Sequence, residues 1–151
     1  MKAPLLLVAC ADPARRLSLI ASLRDVATLR SVSEGEDLLR LARSMRPDGI
    51  LLAGGGPQGL ELLRQAQRLR TDLAPFPRVG VLLYSAEAPP VEVARAHLVT
   101  GYLAGEVDDA ATPEFARAVL RGDAPFRRSE VGATQGKVKA TLSRILHRLR
   151  R

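Results

Sequence analysis

The sequence predicts a doubly wound α/β domain, a parallel sheet covered by helices on both faces, and two observations predict it. Five short aliphatic runs alternate along the chain with five patterns of helical period, as repeated strand–helix–strand units require. The runs are apolar throughout instead of alternating with polar residues, as in strands that have no solvent-facing side. Hydrophobic residues make up 46% of the 151 residues but aromatics only 3%, so the core must be layers of Leu, Val, Ile and Ala. That length fits one domain and a short appendage, and a second full domain does not fit.

The first strand is expected over Leu5 to Ala9. Asp12-Pro13 then starts a helix, with Asp12 as cap and Pro13 at the first position, where no donor is needed. This helix is expected to turn Leu17, Ile20 and Leu23 inward and Arg15, Arg16 and Arg24 outward. A short strand follows near Ala27 to Val32. Ser33-Glu34-Gly35-Glu36 opens a second helix, with Leu38, Leu39, Leu41, Ala42 and Met45 on its apolar side and its end before Pro47.

The central strand is Ile50-Leu51-Leu52, broken by Gly54-Gly55-Gly56-Pro57. Gly59 then opens a helix running to about Arg70. Pro75 and Pro77 mark a loop before the fourth strand, Val79 to Tyr84, which Ser85-Ala86 ends. Pro89-Pro90 leads into a helix from Val91 to Leu98, Gly101-Tyr102-Leu103 is a brief fifth strand, and Thr112-Pro113-Glu114 starts a fifth helix that runs through Leu120. The chain divides into a domain over residues 1–122, a linker over 123–136 and a terminal helix over 137–151.

The stretch RPDGILLAGGGPQGLELL, Arg46 to Leu63, closely resembles the centre of a bacterial response-regulator receiver domain. There an aspartate ends the third strand and a proline lies four residues beyond it. Pro57 is that proline, and Ala53 stands where the aspartate would be. The resemblance extends over about residues 4 to 122, through Ser85 and Gly101-Tyr102-Leu103. With right-handed crossovers, it implies a flavodoxin-like sheet of order 2-1-3-4-5, whose site lies where the first and third strands end.

A working receiver accepts a phosphoryl group on that aspartate, beside two acidic residues holding magnesium and a lysine paired with the phosphoryl oxygens. Transferred through the resemblance, the acidic positions fall on Cys10 and Ala11, the acceptor on Ala53 and the lysine on Gly105. A methyl group is no nucleophile, and a thiol and a methyl are poor magnesium ligands. The hydroxyl and aromatic positions are retained as Ser85 and Tyr102. Both also have structural readings: Ser85 can cap a turn, and Tyr102 can pack at a strand edge with its hydroxyl in water. The expectation is a pseudo-receiver, non-enzymatic and without metal or cofactor.

In the resembled family, the fourth helix, fifth strand and fifth helix commonly contact partners. Here that face would include Glu92, Arg95, Tyr102, Asp109, Arg117 and Arg121, and would recognise signalling or localisation proteins or a second copy of the chain. The Gly54–Gly59 loop offers a competing small-ligand or anion reading, although it has neither a dinucleotide nor a Walker pattern.

Charge points to the end of the chain. Residues 1–127 carry 16 Lys and Arg against 15 Asp and Glu, whereas residues 128–151 carry 7 against 1. In that tail, Val138, Leu142, Ile145, Leu146 and Leu149 recur at helical spacing as an apolar stripe, with Arg144 and Arg148 among the basic residues on the remainder. Such a helix can dock on a protein, attract nucleic acid or lie on an acidic membrane. The single cysteine excludes an internal disulfide and suits a reducing compartment. Leu7-Val8-Ala9-Cys10 resembles a lipoprotein cleavage site, but the apolar segment before it is shorter than the roughly 7–15 residues of an export signal. The expected location is cytoplasmic.

Overall fold

The computed structural model of the chain describes residues 3–32, 37–55, 58–73, 77–84, 87–105 and 110–128. In chain order its elements are β1 (Leu5–Cys10), α1 (Pro13–Leu23), β2 (Thr28–Val32), α2 (Leu38–Met45), β3 (Gly49–Gly54), α3 (Gly59–Asp72), β4 (Arg78–Leu83), α4 (Val91–Ala96), β5 (Gly101–Ala104), α5 (Ala111–Arg121) and β6 (Phe126–Arg128). The strands form one parallel sheet of order β2-β1-β3-β4-β5-β6. The doubly wound architecture and the predicted order of the first five strands are both present.

β3 lies in the middle, and all six of its residues are buried. Alternate side chains along the central strands feed two cores, as the two-residue strand period requires. Leu7, Ile50, Leu52, Val79 and Val81 meet the apolar sides of α2, α3 and α4. Leu6, Val8, Leu51 and Leu82 meet Leu19 and Leu23 of α1 and Phe115 and Val119 of α5. Helix α5 comes close because Gly80 and Gly101 lie beneath it. A Cβ at either would stand 2.9 or 2.7 Å from a methyl carbon of Val119.

Three expectations need correction. Leu17 is 71% exposed, and Leu19, about 200° away around the helix, takes its inward place with Leu23. Helix α5 starts one residue earlier than expected, at Ala111, so Thr112 is buried inside its first turn and Ala110 holds the cap position. The sheet has six strands instead of five, because Phe126–Arg128 pairs with β5 inside the stretch read as a linker. Only Phe126 gives that segment an apolar signal, and two arginines follow it, too little for sequence periodicity to register. At the start of α2 the cap is Asp37, which accepts the Arg40 N–H at 3.2 Å. Residues 33–36, named as its start, lie outside the described residues, as does the whole tail from residue 129.

The return to β6 has an unusual hand. Helices α2, α3 and α4 lie on one face as the chain steps from β2 toward β5, whereas α5 lies on the α1 face. A further outward step to β6 is therefore left-handed, the hand of only about 2% of such connections. Gly122 at φ 76° and Ala124 at φ 53° turn the chain under the sheet to make it.

Candidate functional site at the carboxyl ends of β1 and β3

The parallel register sets Cys10 directly beside Ala53. Both are buried, at 5% and 3% exposure. The Cys10 thiol donates weakly to the Asp12 carbonyl at 3.7 Å, and burial raises its pKa above the ordinary thiol value, so the uncharged form is favoured. Asp12 caps α1 by accepting the Ala14 N–H at 3.1 Å, as its sequence position predicts.

Above these strand ends is a cavity of about 380 Å³, bounded by Cys10, Ala11, Asp12, Arg15, Gln58 and Tyr84 together with the backbone of Gly54 and Gly55. The Arg15 guanidinium lies 3.8 Å from the centre of the Tyr84 ring, a cation–π distance. Arg16 reaches back to donate to the Cys10 carbonyl at 2.7 Å. Gln58 closes the glycine turn: its Oε1 accepts the Gly55 N–H at 3.3 Å, and its own N–H donates to the Gly55 carbonyl at 3.1 Å. Sequence reading missed Arg15, Gln58 and Tyr84. Arg15 is exposed, as its helix phase predicts, but no pattern in the sequence brings it to Tyr84 across 68 intervening positions.

No family model matches the chain, and no curated protein matches it. Solved structures do match. The signal receiver domain of the response regulator NarL from Mycobacterium tuberculosis superposes with a TM-score of 0.62 at 21% identity, over 81% of this chain and 99% of that one. This chain has the response-regulator receiver fold. The isolated receiver domain of RcsB from Salmonella enterica gives a TM-score of 0.58 at 15% identity, over 83% of this chain and 94% of that one. The chemotaxis response regulator CheY4 of Vibrio cholerae gives 0.57 at 19%, over 79% and 99%.

Magnesium, implied by the receiver fold, needs several hard oxygen ligands in near-octahedral geometry. The strand ends present a buried thiol and two methyl groups, and the one carboxylate lining this cavity, Asp12, already caps a helix. These residues do not fit the metal. Gly105, where the resemblance would put the lysine, is buried with φ 100°, a backbone that L side chains rarely adopt. Ser85 lies outside the described residues, as do Gly56 and Pro57 of the Gly54–Gly59 loop.

The second receiver landmark is the side formed by α4, β5 and α5. Tyr102 is fully buried there, and its hydroxyl donates to the Pro89 carbonyl at 2.6 Å instead of facing water. Burial pushes its pKa up to about 12. The adjoining edge of β5 is taken by β6: the Tyr102 N–H donates to the Pro125 carbonyl at 2.8 Å, and Arg128 Nε donates to the Ala88 carbonyl at 3.1 Å. Arg95 stands 4.7 Å from the Phe126 ring centre, so it is committed to the same strand. Glu92 is exposed in the first turn of α4. Arg117 pairs with Glu114 at 3.3 Å on α5. Arg121 pairs with Asp123 at 2.7 Å and lies at the opposite end of the sheet, and Asp109 is outside the described residues. The structure therefore gathers Arg95 and Tyr102 around β6, and leaves Arg121 apart from them.

Proposed function

We propose that the chain is a pseudo-receiver, an adaptor in bacterial signal transduction or protein localisation that acts by protein–protein recognition without aspartyl phosphorylation. The observation that carries this reading is the Cys10–Ala53 pair at the strand ends. Phosphoryl transfer to a receiver needs an ionised carboxylate there and a metal beside it, and this pair supplies neither. A fold that keeps its architecture without its chemistry retains its surfaces, and these are what a partner would read. The surfaces nearest β5 are the exposed parts of α4 and α5, with Glu92, Arg95, Glu114 and Arg117 giving them mixed charge. Mixed charge favours specific pairing over general adhesion.

Among the described residues no helix is long and apolar enough to cross a membrane. A cytoplasmic setting is part of the proposal and is supported by the single, buried cysteine. The Arg15-bounded cavity favours a second reading, in which a small anion at the Gly54–Gly59 loop controls the adaptor. The test of the first reading is incubation with acetyl phosphate and magnesium, followed by intact-mass measurement. The mass should not change. A stable acyl phosphate on any carboxylate of this pocket would end the pseudo-receiver reading.

A further inference from the structure

A second concavity lies at the other end of the sheet, where the strands begin. It measures about 840 Å³, within the range of small-molecule sites. It is framed by the end of α2, the starts of β3 and β4, and the end of α5. Four arginines line it, Arg43, Arg46, Arg78 and Arg121, against one carboxylate, Asp48. Asp48 is already engaged, its Oδ2 accepting the Leu5 N–H at 2.7 Å.

Arginines often gather at helix C-termini because the terminal carbonyls attract cations. Here the backbone satisfies much of that demand. The Ala42 carbonyl receives the Arg46 N–H, and the Ala118 and Val119 carbonyls receive the N–H groups of Asp123 and Gly122. Arg78 donates to the Leu120 carbonyl, its guanidinium lying where a Cβ on Gly122 would come within 3.3 Å. Arg121 is paired with Asp123. The side chains of Arg43 and Arg46 have no hydrogen bond or ion pair among the described residues, and both residues are exposed at the cavity.

Arg46 carries a second mark. It caps α2 at φ 48° and ψ 62°, the left-handed conformation that glycine fills most readily at helix ends. An arginine held in a costly backbone, with no side-chain partner among the described residues and at the rim of a cavity, is better explained by what it binds than by what it stabilises.

We propose that this cavity binds a small polyphosphorylated ligand of the nucleoside-polyphosphate class. Guanidinium groups pair bidentately with phosphate oxygens, and the unpaired charges of Arg43 and Arg46 match two phosphates better than one. Pro47, Leu73, Pro77 and Leu120 supply the apolar wall that a planar base would cover. The site is separate from the Cys10–Ala53 end, so it stands or falls independently of the pseudo-receiver reading.

The test is isothermal titration calorimetry of the full chain with ATP, pyrophosphate and adenosine, each at low and physiological salt. ATP should bind one per chain, pyrophosphate more weakly and adenosine weakest. Arg43→Gln with Arg46→Gln should lower ATP affinity at least tenfold. Arg46→Gly should lower it several-fold while raising the melting temperature, which separates a ligand-binding role from a structural one. Arg15→Gln, at the far end of the sheet, and Arg148→Gln with Arg151→Gln, in the tail, should leave it unchanged. The proposal is overturned if ATP does not bind, if adenosine binds as tightly as ATP, or if an octa-aspartate peptide binds more tightly. It is equally overturned if the Arg15 or tail variants lose as much affinity as the Arg43 and Arg46 pair.

Discussion

Replacing Tyr102 with Phe should produce a stability difference that changes sign with pH. In the folded chain the phenol is fully buried and donates to the Pro89 carbonyl at 2.6 Å, and its pKa is raised from 10.0 to about 12. The folded state therefore holds this proton more tightly than the unfolded chain. That contribution is fully present below pH 10 and is lost as pH rises toward 12, amounting to about 2.7 kcal/mol for two pKa units. Tyr102→Phe removes the hydrogen bond and leaves a carbonyl without its donor, a cost of about 1–2 kcal/mol at pH 8. It also removes the alkaline loss. The wild type should be the more stable protein at pH 8, the two should meet near pH 11, and the variant should lead by about 1 kcal/mol near pH 12. Urea unfolding of both proteins at half-unit steps from pH 8 upward measures this. Other titrating groups, Cys10 included, are common to both and cancel in the difference. Parallel curves would mean that Tyr102 does not sit inward on Pro89, and would refute the buried orientation.

Ala53→Asp should not create a phosphoacceptor, because the metal ligands and the lysine are still missing. It should instead destabilise the fold by about 2–4 kcal/mol by placing a carboxylate in the core shared with Leu51 and Leu82, read as a lower urea midpoint at pH 7 than at pH 4 relative to wild type. Gly101→Ala should cost about 1–3 kcal/mol in thermal unfolding, since its Cβ would meet Val119 at 2.7 Å. Charge reversal at Arg95 and Arg117 together should weaken a dimer or partner complex in light scattering and pull-down, and unchanged assembly would place the interface elsewhere. In the tail, Leu142→Ser with Leu146→Ser should abolish docking on a protein partner, while Arg148→Gln with Arg151→Gln should mainly alter rate and salt dependence. The reverse pattern would make the tail an electrostatic anchor for nucleic acid or acidic lipid.

The fold was legible because its strongest signals are local. A continuous apolar run such as Ile50-Leu51-Leu52, or a cap such as Asp12-Pro13, is specified by neighbouring residues. The positions of Cys10 and Ala53 were legible through the receiver resemblance, which put them at the ends of two strands that the expected order makes neighbours, and the register sets them side by side. What stayed hidden depends on contacts distant in sequence. Arg15 meets Tyr84 only after α1 and β4 are placed, and the four arginines of the distal cavity come from three separate stretches of chain. Strand β6 escaped for a different reason: it is held by the unpaired edge of β5 and by Arg128 and Arg95, not by an apolar pattern of its own. Leu17 shows the limit of reading helix phase from leucines, because two leucine spacings competed on one helix and only the sheet beneath decided between them.

The placement of β6 also bears on self-association. An open sheet ends in two rows of hydrogen-bonding groups that can capture the edge of another molecule, and parallel sheets with aliphatic interiors are especially exposed to this during folding. Here the outer strands are β2 and β6, and both carry arginine: Arg30 at the centre of the one, Arg127 and Arg128 in the other. Without β6 the outer strand would be Gly101-Tyr102-Leu103-Ala104, four uncharged residues with no charge to discourage growth. Removing three residues of weak strand character would therefore show itself less in the melting temperature than in turbidity at high protein concentration.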